Sequence, residues 1–142
     1  MLFRSMTNGR YSPEGDRIAF ASNATGSVEI YVMSIADRRR VRVSTDGGVN
    51  PAWGRDGREL FFHDRRGTIM AATLDSGTGM VRARSTVAMR PCVAANRVFL
   101  SNEAESGFDV TADGTRILAR CDSPGAITSA LTVVVNWQSR LR

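Results

Sequence analysis

The sequence has few of the residues that form metal sites and disulfide frameworks. Its 142 residues include two cysteines, Cys92 and Cys121, and one histidine, His63. The cysteines do not form a Cys-x-x-Cys pair, and a single histidine does not complete the usual zinc ligand sets. We therefore expect two free thiols, and no disulfide framework, metal site or cofactor.

Long hydrophobic runs are also absent. No apolar stretch approaches the roughly 18 residues that a membrane-spanning helix needs, and residues 1–10 contain no apolar segment with a cleavage site. Hydrophobic residues still make up 42% of the chain, which is enough for a buried core. We expect a single soluble domain over residues 1–142, without export signal or membrane contact, which favours the cytoplasm over the periplasm.

Positive charge is in mild excess. Lysine and arginine number 19 against 14 aspartate and glutamate residues, for a net charge of +5. Nucleic-acid binding usually comes with a concentrated basic block or stripe. The composition therefore does not favour nucleic acid as the partner.

A short motif recurs, in which an acidic residue lies next to a glycine between two apolar segments. Its copies are residues 11–20, 53–62 and 110–119. This pairing is a strong hairpin signal, because glycine adopts a positive φ at little cost. The motif glycines Gly15, Gly57 and Gly114 are 42 and 57 positions apart, and a period near 40 residues is typical of propeller blades.

Strand-forming segments follow each copy of the motif. The first runs are Ile18 to Ala21, Leu60 to His63 and Ile117 to Arg120, the second are residues 28–33, 68–72 and 131–135, and the outer ones are 41–44 and 85–89. We predict an all-β fold, a partial β-propeller of about three four-stranded antiparallel blades with the third incomplete. The predicted blade units are about 8–48, 49–90 and 107–137, followed by a short tail, 138–142.

Several of these segments resemble a known repeat. They are Ser-Pro-Glu-Gly-Asp-Arg-Ile-Ala-Phe at 12–20, Glu-Ile-Tyr-Val-Met at 29–33, Ser-Thr-Asp-Gly-Gly at 44–48 and Pro-Ala-Trp at 51–53. Together they resemble the WD-repeat-like unit of bacterial TolB-type propellers. The resemblance covers residues 11–89 well and 108–137 more loosely. The ending, Leu131 to Trp137, resembles the last strand and tail of propellers that follow bacterial serine/threonine kinase or DNA-binding regulatory domains.

The resemblance implies a function and leaves alternatives open. It implies a non-catalytic binding or scaffold module that interacts with a protein, a peptide or another ligand. One alternative is an accessory propeller domain of a prolyl-oligopeptidase-like peptidase. The other is the sensory domain of a kinase or a transcription regulator.

Three units are fewer than such propellers contain. TolB-type rings close with six or more blades, and three blades leave sheet edges that invite pairing with another chain. We therefore expect either a part of a longer propeller or a chain that self-associates, with Leu2 to Met6 adding an outer strand to the third unit of a second copy.

No pattern of side chains predicts catalysis. His63 beside Asp64 could act as a general base, but no activated nucleophile accompanies it. Asp16, Asp56 and Asp113 recur at turns, where carboxylates bond to the nearby backbone. We therefore predict that the chain is not an enzyme and has no catalytic residue.

One candidate interaction surface can be named from the charge pattern. It comprises Arg38, Arg39, Arg40, Arg65, Arg66 and His63. Arginine forks match phosphate oxygens, but charges at hairpin tips and outer strands also protect sheet edges. Edge protection is the favoured interpretation.

Overall fold

The described part of the protein consists of three antiparallel sheets. The computed structural model describes residues 6–87, 108–111, 113, 115–121 and 130–135. The first sheet contains β1 (Met6–Tyr11), β2 (Arg17–Ser22), β3 (Glu29–Ser34) and β4 (Arg40–Arg42). The second contains β5 (Val49–Trp53), β6 (Glu59–His63), β7 (Ile69–Leu74) and β8 (Val81–Thr86), and the third contains β9 (Phe108–Val110), β10 (Arg116–Cys121) and β11 (Ala130–Val135).

Each sheet is a meander in which strands that are consecutive in sequence pair side by side. The strand orders are β1-β2-β3-β4, β5-β6-β7-β8 and β11-β10-β9. No helix occurs among the described residues. The predicted all-β class is confirmed, and among the described residues the third sheet has three strands where the other two have four.

The meander sends successive hairpins to opposite ends of the sheets. The turn end carries the connections 12–16, 35–39, 54–58 and 75–80. The loop end carries the connections 23–28, 43–48 and 64–68. Residues in connections at opposite ends are separated by the length of the strands and cannot share a surface.

Two apolar layers hold the sheets face to face. Because side chains alternate along a strand, Leu60 and Phe62 of β6 face the first sheet while Phe61 faces the third. The layer between the first and second sheets contains Ala19, Ala21, Ile30, Val32, Leu60, Phe62, Ala72 and Leu74. The layer between the second and third contains Phe61, Ile69, Ala71, Val87, Phe108, Ile117 and Ala119. Each fully buried large side chain contributes about 1.5–3 kcal/mol to folding, so these layers are the main source of stability.

A buried polar network fixes the connection between the first two sheets. The Ser44 hydroxyl donates to the Glu29 carboxylate and accepts the backbone N–H of Ile30. The backbone N–H of Gly47 also donates to Glu29. A Cβ at Gly48 would lie 2.6 Å from Ile30 Cγ1 and 2.8 Å from Ser44 Oγ. The Gly-Gly pair therefore lets the chain cross close to this network.

The outer strand of the second sheet differs from the prediction. It was expected at residues 85–89, whereas β8 covers Val81–Thr86. The Asp75 carboxylate accepts the N–H groups of Gly77 and Thr78, and this tight turn brings Val81 directly opposite Leu74. Cys92 and the tail 138–142 lie outside the described residues.

Candidate functional site

An open groove runs along the first strands of the three sheets, β1, β5 and β9. Its volume is about 450 Å³, which is within the range of small-ligand sites. Its lining includes Asn8, Arg10 and Tyr11 on β1, Asn50 and Trp53 on β5, and Asp109 on β9. We call this feature the inner-strand groove.

Two asparagines join the first two sheets within this groove. Asn8 Nδ2 donates to Asn50 Oδ1 at 2.8 Å. Both residues have a positive φ, 56° and 54°, and both lie in β-bulges, where the register with the neighbouring strand shifts. Asparagine tolerates this conformation better than other side-chain-bearing residues, and bulges redirect side chains. Two consecutive units of the repeat therefore each place an asparagine side chain on the groove.

The repeat in the sequence contains a signal for this pair. Asn8 and Asn50 each precede the aromatic residue of the motif, Tyr11 or Trp53, by three positions. The recurrence marks them as equivalent residues of two units. Their positive φ and their mutual hydrogen bond are seen only in three dimensions.

Trp53 forms a fixed wall of the groove. Its Nε1 donates to the carbonyl oxygen of Arg10 at 2.9 Å, and the Cζ of Arg17 lies 5.4 Å from its ring centroid. A cation over an aromatic face at this distance is attractive. The indole is therefore held in one orientation before any ligand binds.

Arg17 connects the turn ends of the first two sheets. Its side chain is almost fully buried, its Nη2 donates to the carbonyl of Gly57 at 3.3 Å, and its Nε donates to Asp16 at 3.3 Å. The Ser12 hydroxyl donates to the same carboxylate and, with Arg17, lowers the pKa of Asp16. These contacts make the groove wall part of the packing between the sheets.

The rim of the groove combines exposed aromatic and charged groups. Tyr11 is 67% exposed, although large aromatic side chains usually bury most of their area. Arg10 and Asp109 occupy equivalent register positions on β1 and β9, opposite Ala19 and Leu118 respectively. The groove thus offers a hydrophobic ring, a cation, an anion and two amides to a ligand.

The arginines predicted as one surface lie at opposite ends of the sheets. Arg38 and Arg39 belong to the connection at the turn end and Arg40 begins β4, whereas Arg65 and Arg66 belong to the 64–68 connection at the loop end. Arg39 Nη2 donates to the carbonyl of Thr78 in the second sheet at 2.8 Å. The six candidate residues therefore do not form one continuous surface.

His63 must be removed from the candidate surface. Its side chain has no exposed area and meets the ring of Phe108 edge-on, with 4.7 Å between centroids. Neither ring nitrogen has a hydrogen-bond partner among the described residues, and burial lowers the pKa of His63 to about 4. Strand alternation explains this placement, since His63 lies two positions after Phe61 and faces the same apolar layer.

The recurring aspartates act within their own turns. Asp56 accepts the N–H of Arg58. Asp113 accepts the Thr111 hydroxyl and the N–H of Thr115, and these hydrogen bonds, the one from Thr111 above all, lower the pKa of Asp113. Within the described ranges, no three His, Cys, Asp or Glu side chains are grouped so as to hold a metal ion. In the same ranges, no helix is long and apolar enough to cross a bilayer.

The similarity of this chain to known proteins is seen in its structure. No protein-family model and no curated protein matches the sequence. TolB from Acinetobacter baumannii is similar with a TM-score of 0.61 and 20% identity, over 91% of this chain and 29% of that one. A putative TolB from Agrobacterium tumefaciens has a TM-score of 0.61 at 12% identity, over 96% and 47%. The tricorn protease has a TM-score of 0.60 at 14% identity, over 92% and 12%.

These likenesses define the class of fold. Stacked antiparallel meanders with such neighbours are blades of a β-propeller. More particularly, the fold is that of a TolB-type propeller, as the sequence resemblance implied. The chain spans less than half the length of each of these three structures, and the three include a peptidase as well as TolB proteins.

Proposed function

We propose that this chain is a non-catalytic binding module that holds an extended segment of a protein partner in its inner-strand groove. The observation that carries the proposal is the groove itself, with Tyr11 on its rim and the Asn8–Asn50 pair within it. A carboxamide has both hydrogen-bond donors and an acceptor, so this pair can bond to the N–H and C=O groups of a peptide.

The groove is also suited to binding because it is pre-organised. Trp53 is held by Arg10 and Arg17, and the two asparagines hold each other. Binding to a fixed surface loses less conformational entropy than binding to side chains that must first be ordered. An exposed aromatic and an arginine are also residue types enriched at interfaces.

Selection of peptides from a random library displayed on phage tests this function. The affinity of each selected peptide is measured by isothermal titration calorimetry against the unaltered chain and against Tyr11→Ala and Arg10→Ala. Both side chains are exposed, so these changes leave the core intact. Removing a contact residue of this kind is expected to weaken binding by roughly tenfold, about 1.4 kcal/mol.

Matched controls come from the basic residues outside the groove. Arg40→Ala and Arg66→Ala remove exposed arginines at opposite ends of the sheets and are expected to leave the affinity within about twofold. Binding lost in these variants but not in Tyr11→Ala would assign the site to the basic residues. Failure to select any peptide above background would reject a peptide partner.

A second candidate is suggested by one neighbour. The matched region is 12% of the tricorn protease chain, so in that protein a similar fold is a small part of a larger peptidase. An accessory role in a larger enzyme would use the same groove to contact a substrate or another domain. Mixing the chain with a candidate partner peptidase and measuring cleavage of a peptide series is expected to show a change in substrate preference, and an unchanged preference would reject this second function.

A further inference from the structure

The structure assigns a site of spontaneous covalent modification to the edge of the groove: we propose that Asn8 deamidates through the backbone nitrogen of Gly9. Asn8–Gly9 is the one Asn-Gly pair in the sequence. This reaction is chemistry of the chain itself and needs no ligand, so it is independent of the proposed function.

The reaction needs only water as co-reactant. The Gly9 amide nitrogen attacks Cγ of Asn8, so that a C–N bond forms, the Cγ–Nδ2 bond breaks and ammonia leaves with the proton of the Gly9 N–H. Water then opens the five-membered imide at either carbonyl. The products are aspartate, or isoaspartate, in which the main chain runs through the former side chain.

The backbone around Asn8 leaves room for the attack. The register of β1 with β2 pairs Thr7 with Ala21 and then Arg10 with Ala19, so Asn8 and Gly9 lie together in the bulge between these pairs. Gly9 is exposed, and the nearest atom to a Cβ built on it is Ile18 Cγ2 at 3.9 Å. Gly9, whose nitrogen attacks, therefore lies exposed in an irregular part of the strand, next to the half-buried Asn8.

Asn50 is an internal control for this chemistry. It has the same place in the repeat, a bulge of its own and nearly the same φ as Asn8. It is followed by Pro51, whose nitrogen carries no hydrogen. Because that nitrogen cannot close the imide, deamidation is expected at Asn8 and not at Asn50.

Deamidation of Asn8 would change the chemistry of the groove. Deamidation replaces the Nδ2 group that donates to Asn50 with a carboxylate oxygen, which adds one negative charge. Asn50 would then have to turn its own amide so that it donates instead. The isoaspartate product would also lengthen the main chain within the bulge.

Peptide mapping of the aged chain tests the proposal. The folded protein is incubated at mildly alkaline pH, sampled over time, digested with trypsin and analysed by mass spectrometry. Cleavage after arginine separates the two sites, because Asn8 falls in the peptide Ser5–Arg10 and Asn50 in Val43–Arg55. The first peptide is expected to gain about 1 Da, the mass change of amide to acid, while the second keeps its mass.

Two further rates of deamidation are compared with that of the folded, unaltered chain. Gly9→Ala adds a methyl group to an open position and should slow conversion by roughly tenfold, since the side chain hinders the attack that glycine permits. The unaltered chain in concentrated urea should convert within about tenfold of the rate in the folded chain, because the bulge is already accessible. Equal conversion in both peptides, an unaffected Gly9→Ala variant, or protection in the folded chain far beyond tenfold would overturn the proposal.

Discussion

The guanidinium of Arg17 in the first sheet lies 5.4 Å from the ring centroid of Trp53 in the second. The same side chain reaches the carbonyl of Gly57, so one residue joins the core of one blade to the turn of the next. Most contacts between the sheets are apolar and non-directional. The contact between Arg17 and Trp53 has a defined geometry, and it fixes the wall of the proposed binding groove.

Arg17→Ala should destabilise the fold. The change removes the cation–aromatic contact, the hydrogen bond to Gly57 and the packing of the buried aliphatic stem, a loss of roughly 2–3 kcal/mol. Urea unfolding followed by tryptophan fluorescence measures the difference. Arg58→Ala, an exposed arginine, is the control and should stay within about 0.5 kcal/mol of the unaltered chain. Equal stability of the two variants would contradict this role for Arg17.

Ser44→Ala tests the buried network at the connection between blades. It leaves the N–H of Ile30 without its acceptor and the Glu29 carboxylate without the Ser44 hydroxyl. Leaving buried polar groups unsatisfied costs about 1–3 kcal/mol for each group, so a loss near the upper end of this range is expected in thermal or urea unfolding. Ser27→Ala, at an exposed position, should be nearly neutral. A Ser44→Ala variant as stable as Ser27→Ala would show that the network contributes little.

Gly48→Ala tests the close approach of the chain at the same place. The added methyl carbon would lie 2.6 Å from Ile30 Cγ1, and overpacking of this kind costs about 1–3 kcal/mol. Gly77→Ala is a matched control, because its new methyl carbon would lie 3.5 Å from the nearest atom, Asp75 Oδ1. We expect a lower melting temperature for Gly48→Ala alone. The opposite order of melting temperatures would contradict the packing described for the Gly-Gly connection.

Acidification should destabilise the contact between the second and third sheets through His63. Burial lowers its pKa from 6.5 to about 4 in the folded protein, so between these pH values the unfolded chain binds a proton that the folded chain does not. Stability therefore falls as the pH decreases from 6.5 towards 4, by about 3 kcal/mol in all. Urea unfolding at several pH values in this window measures the slope.

The His63→Leu variant separates the pH dependence caused by His63 from the pH dependence caused by the carboxylates. Asp16 and Asp113 also have lowered pKa values, but their stabilising contribution is lost only as the pH falls below about 4. His63→Leu should thus be almost independent of pH between 6.5 and about 4.5. If the unaltered chain shows the same flat profile, His63 is not buried as described.

Some of these features follow from the sequence and others do not. The turns and strands were predictable because an acidic residue beside glycine and apolar alternation act locally. The burial of His63 was also predictable in principle, since it has the same strand parity as Phe61. Counting hairpins would likewise have placed Arg40 and Arg66 at opposite ends.

Other features depend on contacts between units that local patterns do not encode. The hydrogen bond between Asn8 and Asn50 requires both bulges and the stacking of two sheets. The position of Arg17 over Trp53 requires a buried cation, which composition alone argues against. Such relations arise from the distance and angle between neighbouring blades, and these are set by the packing of the apolar layers.

Hydrogen–deuterium exchange with a selected peptide shows whether the inner strands form the binding site. With peptide bound, we expect slower exchange in the backbone amides of β1 and β5, with no change in the 64–68 connection at the loop end. Protection confined to that connection, or to the arginine-containing turn 35–39, would show that the peptide binds outside the inner-strand groove.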